Sequence, residues 1–254
     1  MSRVIGVVPA RAASEAIPGK NMKLLGGEHL VAWTLASAIG VCDAIIVSSD
    51  CDAMLEFAEH YPDVWDSDRL RTTVVCHKRP ALLATGRVPD LPVALDAYGA
   101  IDQEPDDLIL LLRPTAPFRR PDEIRAVAAL LRENLSDSVR SVLPAREPPQ
   151  KAYLHAGECV LPEGRGRYPL LEPATGPRHR ANHPRQWLPK AWKASGFIDA
   201  VRADVLVGSG SLEGDVILGW ESPAERSLDL DSERDFSEAE ALAVSRGWKP
   251  GEIT

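Results

Sequence analysis

The chain has 254 residues, 44% hydrophobic and 26% charged, the mixture of an ordinary globular protein at a length that fits one large domain or one domain with an appendage. Those proportions exclude a disordered chain, a collagen-like fibre and a disulfide-stapled mini-protein. Twenty-nine basic against thirty-seven acidic residues give a formal charge of −8, which argues against nucleic acid or an anionic membrane as a general partner.

Four scattered cysteines, Cys42, Cys51, Cys76 and Cys159, form no C-x-x-C pair and read as reduced thiols rather than a zinc site or disulfide framework. The first residues reach charge by Arg11, too soon for a signal peptide. The apolar run Leu108 to Leu112 is far short of a membrane span. The expectation is a soluble, cytoplasmic chain.

Val4 to Val8 is a buried-strand candidate, followed by a polar loop from Pro9 to Asn21. His29 to Ile39 has helical spacing, and Ala44 to Val47 reads as a strand ending in Ser48-Ser49-Asp50, with Asp50 placed to cap a helix over Cys51 to His60. Thr72 to Cys76 is a third strand, Leu91 to Ile101 a helix, and Leu108 to Leu112 a continuous apolar strand closed by Arg113-Pro114-Thr115. Pro121 to Glu133 begins with a helix-starting proline, and Ser138 to Leu143 is a further strand. Strand, loop and helix in repeated alternation predict an α/β fold: a Rossmann-like, three-layer, mostly parallel sheet with ligands at the carboxyl ends of the strands. From Ala145 to Pro189 prolines, arginines and glycines dominate and periodicity fades. That stretch, about 145–193, reads as an inserted dimerisation arm in a single 1–254 domain. Regular pattern returns at Gly196 to Val201, Val216 to Trp220 and a last helix over Ser237 to Ser245.

The first loop, Pro9-Ala10-Arg11-Ala12-Ala13-Ser14-Glu15-Ala16-Ile17-Pro18-Gly19-Lys20-Asn21, is neither a P-loop nor a dinucleotide fingerprint. Small residues with Arg11, Ser14 and Lys20 suit phosphates, which backbone N–H groups, a hydroxyl and cations can meet at close range; by composition alone an ordinary loop is the simpler reading. His179 and His183 are four apart, but flanking Pro177 and Pro184 favour a solvated loop over a zinc site.

The loop resembles the P-A-R-G-G-S-K-G-I-P-x-K-N signature of the acylneuraminate cytidylyltransferase (CMP-sialic acid synthetase) family. The resemblance continues at Ile46-Val47-Ser48-Ser49-Asp50, at Lys78-Arg79-Pro80-Ala81-Leu82-Leu83-Ala84-Thr85, at Leu111 to Pro117, at Arg185-Gln186 with Leu188-Pro189, and at Ser227 to Phe236. These six matches run in order along nearly the whole chain. The family implies transfer of CMP from CTP to a nonulosonic, sialic-acid-like sugar acid with release of pyrophosphate, on a homodimer.

What the resemblance implies for single residues follows the same segments. Ala10, Arg11, Ser14, Lys20, Asn21 and Arg79 would contact the nucleotide, with Arg11 and Lys20 at the phosphates. Asp229 and Asp231 would hold Mg²⁺, which suits a pair of carboxylates two apart on one face of an extended strand. Arg113, Thr115, Lys151, Arg185 and Lys193 would face the acceptor, an arginine there binding a carboxylate in planar bidentate fashion.

Departures from the signature lie at the same places. Ala12-Ala13 replaces a glycine pair, Glu15 a lysine, Gly86 an aspartate and Arg113 a glutamine, and Lys193 to Asp199 replaces R-P-N-G-A-I-Y. Two explanations stay open: a transferase for another acidic acceptor or another NTP, Arg113 adding a cation for a more anionic or differently decorated acid, or a catalytically impaired relative in which Glu15 disables triphosphate binding.

Overall fold

The computed structural model describes residues 2–14, 16–61, 71–160, 167–175 and 182–254; Glu15 and His179 lie outside the described residues. The chain divides into two compact units, Met1–Val142 with Ala194–Thr254, and Leu143–Lys193.

In chain order the elements are β1 (Val4–Pro9), β2 (Leu24–Leu25), β3 (Glu28–His29), α1 (Leu30–Ala38), β4 (Ala44–Ser49), α2 (Asp52–His60), β5 (Thr73–Lys78), α3 (Asp90–Tyr98), β6 (Leu108–Leu111), α4 (Pro121–Glu133), β7 (Ser138–Pro144), β8 (Tyr153–Val160), β9 (Arg167–Pro173), β10 (Trp192–Arg202), α5 (Ala203–Gly208), β11 (Ile217–Glu221) and α6 (Glu233–Arg246). A seven-stranded sheet runs in the order β11-β7-β10-β6-β1-β4-β5. β1 is parallel to β4 and β6, β4 to β5 and β11 to β7, while β10 runs antiparallel to β6. The chain travels outward from β1 through β4 to β5, then returns to place β6 on the other side of β1. That reversal opens a crevice beyond the carboxyl ends of β1 and β6.

Strand alternation builds the layers. Val4 and Val8 join Leu108 and Leu110 in a core with residues of α1, α2 and α4; Ile5 and Val7 join Ile109 and Leu111 in a second core with residues of α3 and α5. Each fully buried aliphatic side chain here contributes about 1.5–3 kcal/mol, so these two layers, not surface ion pairs, hold the sheet. Gly6 fits closely in β1: a Cβ there would stand 3.2 Å from the Cys42 sulfur and 3.3 Å from Leu112, so those side chains would have to give. α1 is buried along its whole length, its second side covered by a third cluster in which Trp33 and Phe118 meet Leu230, Phe236 and Trp248. α4 shows the ordinary amphipathic spacing, with Ile124, Val127, Ala128 and Leu131 buried.

Two local expectations are corrected. Asp50 does not cap α2: Cys51 occupies the N-cap position without a side-chain bond, because the Asp50 carboxylate accepts the Ala12 N–H at 2.7 Å across the sheet end. The segment with Asp229 and Asp231 is not a strand. It is irregular chain in which the Leu230 N–H donates to the Thr115 carbonyl at 2.9 Å and the Asp231 N–H turns back to the Asp229 carbonyl at 3.0 Å, with Leu230 buried between two exposed aspartates.

The second unit is built around an antiparallel hairpin, Tyr153 opposite Pro173, with an irregularity between His155 and Gly157. At its base the Ala145 N–H donates to the Ala191 carbonyl at 2.9 Å. Among the described residues no helix is long and apolar enough to cross a membrane.

Candidate active site

The carboxyl ends of β1, β5 and β6 and the approach to α6 surround a cleft of about 300 Å³. Arg11, Ser14, Lys20, Asn21, Arg79, Arg113, Thr115, Asp229 and Asp231 all line it. Ala10 is buried beneath them, its N–H donating to the Ser48 carbonyl at 2.9 Å. Lys151, Arg185 and Lys193 belong to the second unit, where Arg185 donates to the Ala145 carbonyl at 3.0 Å.

The described parts of the first loop are held by bonds within the protein. Gly19, at φ 65°, supplies the left-handed turn into a short 3-10 helix over Lys20–Met22. Asn21 donates to the Arg11 carbonyl at 3.0 Å, and Asp50 holds Ala12 from the neighbouring strand end. Lys20 is 9% exposed and reaches across the cleft floor: its Nζ donates to the Leu230 carbonyl at 2.6 Å and stands 3.5 Å from Asp231. It is a strut between the loop and the acidic pair as well as a cation in the cleft.

On the β4–β5 side, Arg79 is buried and donates to the Ser48 hydroxyl at 3.0 Å and the Ser48 carbonyl at 2.7 Å. Burial lowers its pKa below the usual arginine value, against the pull of Asp50, and the Arg11 cation pushes the same way as burial. Two guanidiniums face one opening, which favours an anion between them.

Opposite stand the carboxylates. Ser232 caps α6: its hydroxyl accepts the Asp235 N–H at 3.2 Å while the Asp235 carboxylate accepts the Ser232 N–H at 2.7 Å. This capping box pins the residues just before it. The Asp229 carboxyl is pushed above the usual carboxylate range, first by desolvation and then by the Asp231 charge, with Thr115, Lys20 and Arg113 opposing. Two carboxylates forced together with one partial cation partner form a donor set that fits a divalent cation retaining other oxygen ligands. Among the described residues no group of three or more His, Cys, Asp and Glu side chains gathers as a metal centre.

On the β6–β10 side, Arg113 is not a free cation. Its Nη2 lies 2.7 Å from Asp90 and its Nη1 2.7 Å from Asp199. Burial works against its charge, but the Asp199 and Asp90 carboxylates outweigh burial and hold the guanidinium ionised above its ordinary value. Asp199 in turn lies 3.5 Å from Arg140. Asp90, Asp199 and Arg140 were not singled out from the sequence. The signal was present: a new cation at 113 and a new anion at 199 are two departures that compensate each other.

The chemistry gathered here, cations for an anionic chain on one side and paired carboxylates on the other, agrees with the comparisons. The chain is 33% identical over 167 residues to CMP-N,N'-diacetyllegionaminic acid synthase of Legionella pneumophila, covering 63% of this chain and 67% of that one. It is 24% identical to N-acylneuraminate cytidylyltransferase A of Danio rerio over 96% of its own length, and spans about half of that relative. A solved CMP:2-keto-3-deoxy-manno-octonic acid synthetase complexed with CTP shares the fold, with TM-score 0.64 at 14% identity over 96% of this chain and 99% of that one. The cytidylyltransferase profile matches residues 5–154, which carry the first loop, Arg79 and Arg113, and by that match the chain belongs to the cytidylyltransferase family.

Proposed function

We propose that the protein transfers CMP from CTP to a nonulosonic, sialic-acid-like sugar acid and releases pyrophosphate. The observation that supports this most directly is the convergence of Arg11, Ser14, Lys20, Asn21 and Arg79 from separate loops onto one cleft facing Asp229 and Asp231. In the reaction an acceptor hydroxyl oxygen bonds to the α-phosphorus of CTP, the bond from that phosphorus to the bridging oxygen breaks, and pyrophosphate and a proton leave. Such chemistry needs positioning and charge neutralisation more than covalent help. Arg11 and Lys20 neutralise the triphosphate, and Asn21 and Asp50 hold the loop to one geometry. Asp229 and Asp231 would hold Mg²⁺, and the ion, when bound, offsets charge on the phosphate oxygens. Thr115 orients Asp229 through its hydroxyl.

The same reading includes a cytoplasmic homodimer. Trp187, Trp192, Leu154 and Leu171 of the second unit are each more than half exposed, which supports a subunit contact through that unit. A second reading, a catalytically impaired relative with weakened triphosphate binding, has one observation in its favour: the Ala12 N–H is already bonded to Asp50 and unavailable to a phosphate. Pyrophosphate release with Mg²⁺, crossing four NTPs with a panel of nonulosonic and octulosonic acids, separates them. Release with CTP and one acid supports the transferase; no release together with weak CTP binding supports the second reading, and no release with tight CTP binding means that the acceptor lies outside the panel.

A further inference from the structure

The cleft wall formed by Asp90, Arg113 and Asp199 has a charge pattern that selects what can lie against it. Asp199 is 2% exposed and immobilised from behind: one carboxylate oxygen accepts from Arg113 at 2.7 Å, the other lies 3.3 Å from the Ser141 N–H and 3.5 Å from Arg140. Arg113, 20% exposed, is thereby fixed in plane and turns its remaining edge to Asp90. Both donors on that edge, Nε at 3.2 Å and Nη2 at 2.7 Å, converge on a single oxygen of Asp90, Oδ2. Asp90 is the exposed member, at 45%, and stands in the first turn of α3 on the rim of the cleft. Two carboxylates and two guanidiniums cancel, so the wall carries no surplus positive charge. What it presents at the cleft lining is a carboxylate held by Arg113 through one of its two oxygens.

Such an acceptor selects for donors. A second carboxylate on the substrate would meet Asp90 with repulsion, whereas a hydroxyl, an amide N–H or an ammonium would complete its hydrogen bonding. Position supports the same side for the acceptor: Arg79 and Ser48 stand toward β4 and β5, where the transferase reading puts the nucleotide, while Arg113 and Asp199 stand toward β6 and β10. We infer that Asp90, oriented by Arg113 and Asp199, is a specificity-determining residue that accepts a hydrogen bond from a hydroxyl or amide N–H of the sugar acid, so that the donor-rich part of the acceptor and not its carboxylate lies against this wall. This inference rests on the transferase reading above. It also reverses the expectation that Arg113 adds a cation for a more anionic acid.

The test is steady-state pyrophosphate release by the full chain and its Asp90→Ala and Asp90→Asn variants. CTP is held in excess, and N,N'-diacetyllegionaminic acid, N-acetylneuraminate and 3-deoxy-manno-octulosonate are varied in turn. Loss of one charge-assisted hydrogen bond predicts a 10- to 100-fold rise in the acceptor KM for Asp90→Ala. It also predicts a narrowed preference among the three acids, a CTP KM within twofold of the parent, and an intermediate effect for Asp90→Asn, which keeps an acceptor oxygen. A purely structural role for Asp90 would change CTP and acceptor parameters together and leave the preference among acids unaltered. Unchanged acceptor KM and preference in an active Asp90→Ala protein would overturn the inference and leave the transferase standing. No release by the parent chain with any of the acids would remove both.

Discussion

The two ends of strand β6 treat an aspartate in opposite ways. Just before the strand, Asp107 is buried with both carboxylate oxygens hydrogen-bonded: Arg3 donates at 2.8 and 2.6 Å, the Tyr98 hydroxyl at 2.7 Å and the Glu104 N–H at 3.3 Å. Burial alone would raise its pKa, but the Arg3 and Tyr98 hydrogen bonds outweigh it and hold the carboxyl below the usual range. Just beyond the other end, Thr115 meets Asp229, whose carboxyl is held above that range by desolvation and the Asp231 charge. One end is satisfied and stabilising; the other keeps like charges together at a cost that a bound cation would relieve. That asymmetry is consistent with the proposed site at the carboxyl end of the sheet.

The comparison can be broken at several points. Replacing Asp231 with asparagine removes half of the acidic pair and is expected to lower pyrophosphate release by about 100- to 1,000-fold with the fold intact by circular dichroism; activity that survives would contradict the metal assignment. At the other end, Asp107→Asn should lower stability at pH 7 by about 1–3 kcal/mol in urea unfolding without touching nucleotide affinity.

The pH dependence of that loss has a definite sign. A depressed folded pKa contributes stability above the ordinary carboxylate pKa and loses it as pH falls through the folded value. The difference between Asp107→Asn and the parent should therefore shrink on acidification below about pH 4; a constant difference would mean that packing, not charge, is at stake. Arg79→Lys keeps the charge but loses the geometry of two donors to Ser48, and should weaken CTP binding about tenfold by calorimetry.

The smallest effect has the opposite sign. Asp229 has a raised folded pKa, so its ionised form opposes folding at neutral pH and that penalty is relieved as pH falls. Asp229→Asn should stabilise the fold slightly at pH 7, by at most about 0.5 kcal/mol in urea unfolding after solvent screening. A clear drop would show that the charge is compensated in the free protein.

Much of this was legible from residue patterns because the determinants are local. Buried parallel strands are continuous aliphatic runs, as at Leu108 to Leu111, and α4 announces itself with a proline at its first position and apolar residues three and four apart. The resemblance in the first loop was legible because short segments with fixed spacing carry it. The hairpin of the second unit was not: Leu154 and Leu171 are exposed, so no core-facing alternation marks its strands, and prolines interrupt one of them. α5 is only six residues long, too short for a period to show. The Arg113 network was missed for another reason. Its partners lie 23 and 86 residues away, and a charge read alone looks free until the fold brings its counter-charges to it.

The most direct test of the central claim is pyrophosphate release with Mg²⁺, run for the parent chain and Asp231→Asn across the NTP and sugar-acid panel. The account predicts release from CTP with at least one nonulosonic acid in the parent and its near-complete loss in the variant. Equal release by both proteins, or release from another NTP in preference to CTP, would contradict it.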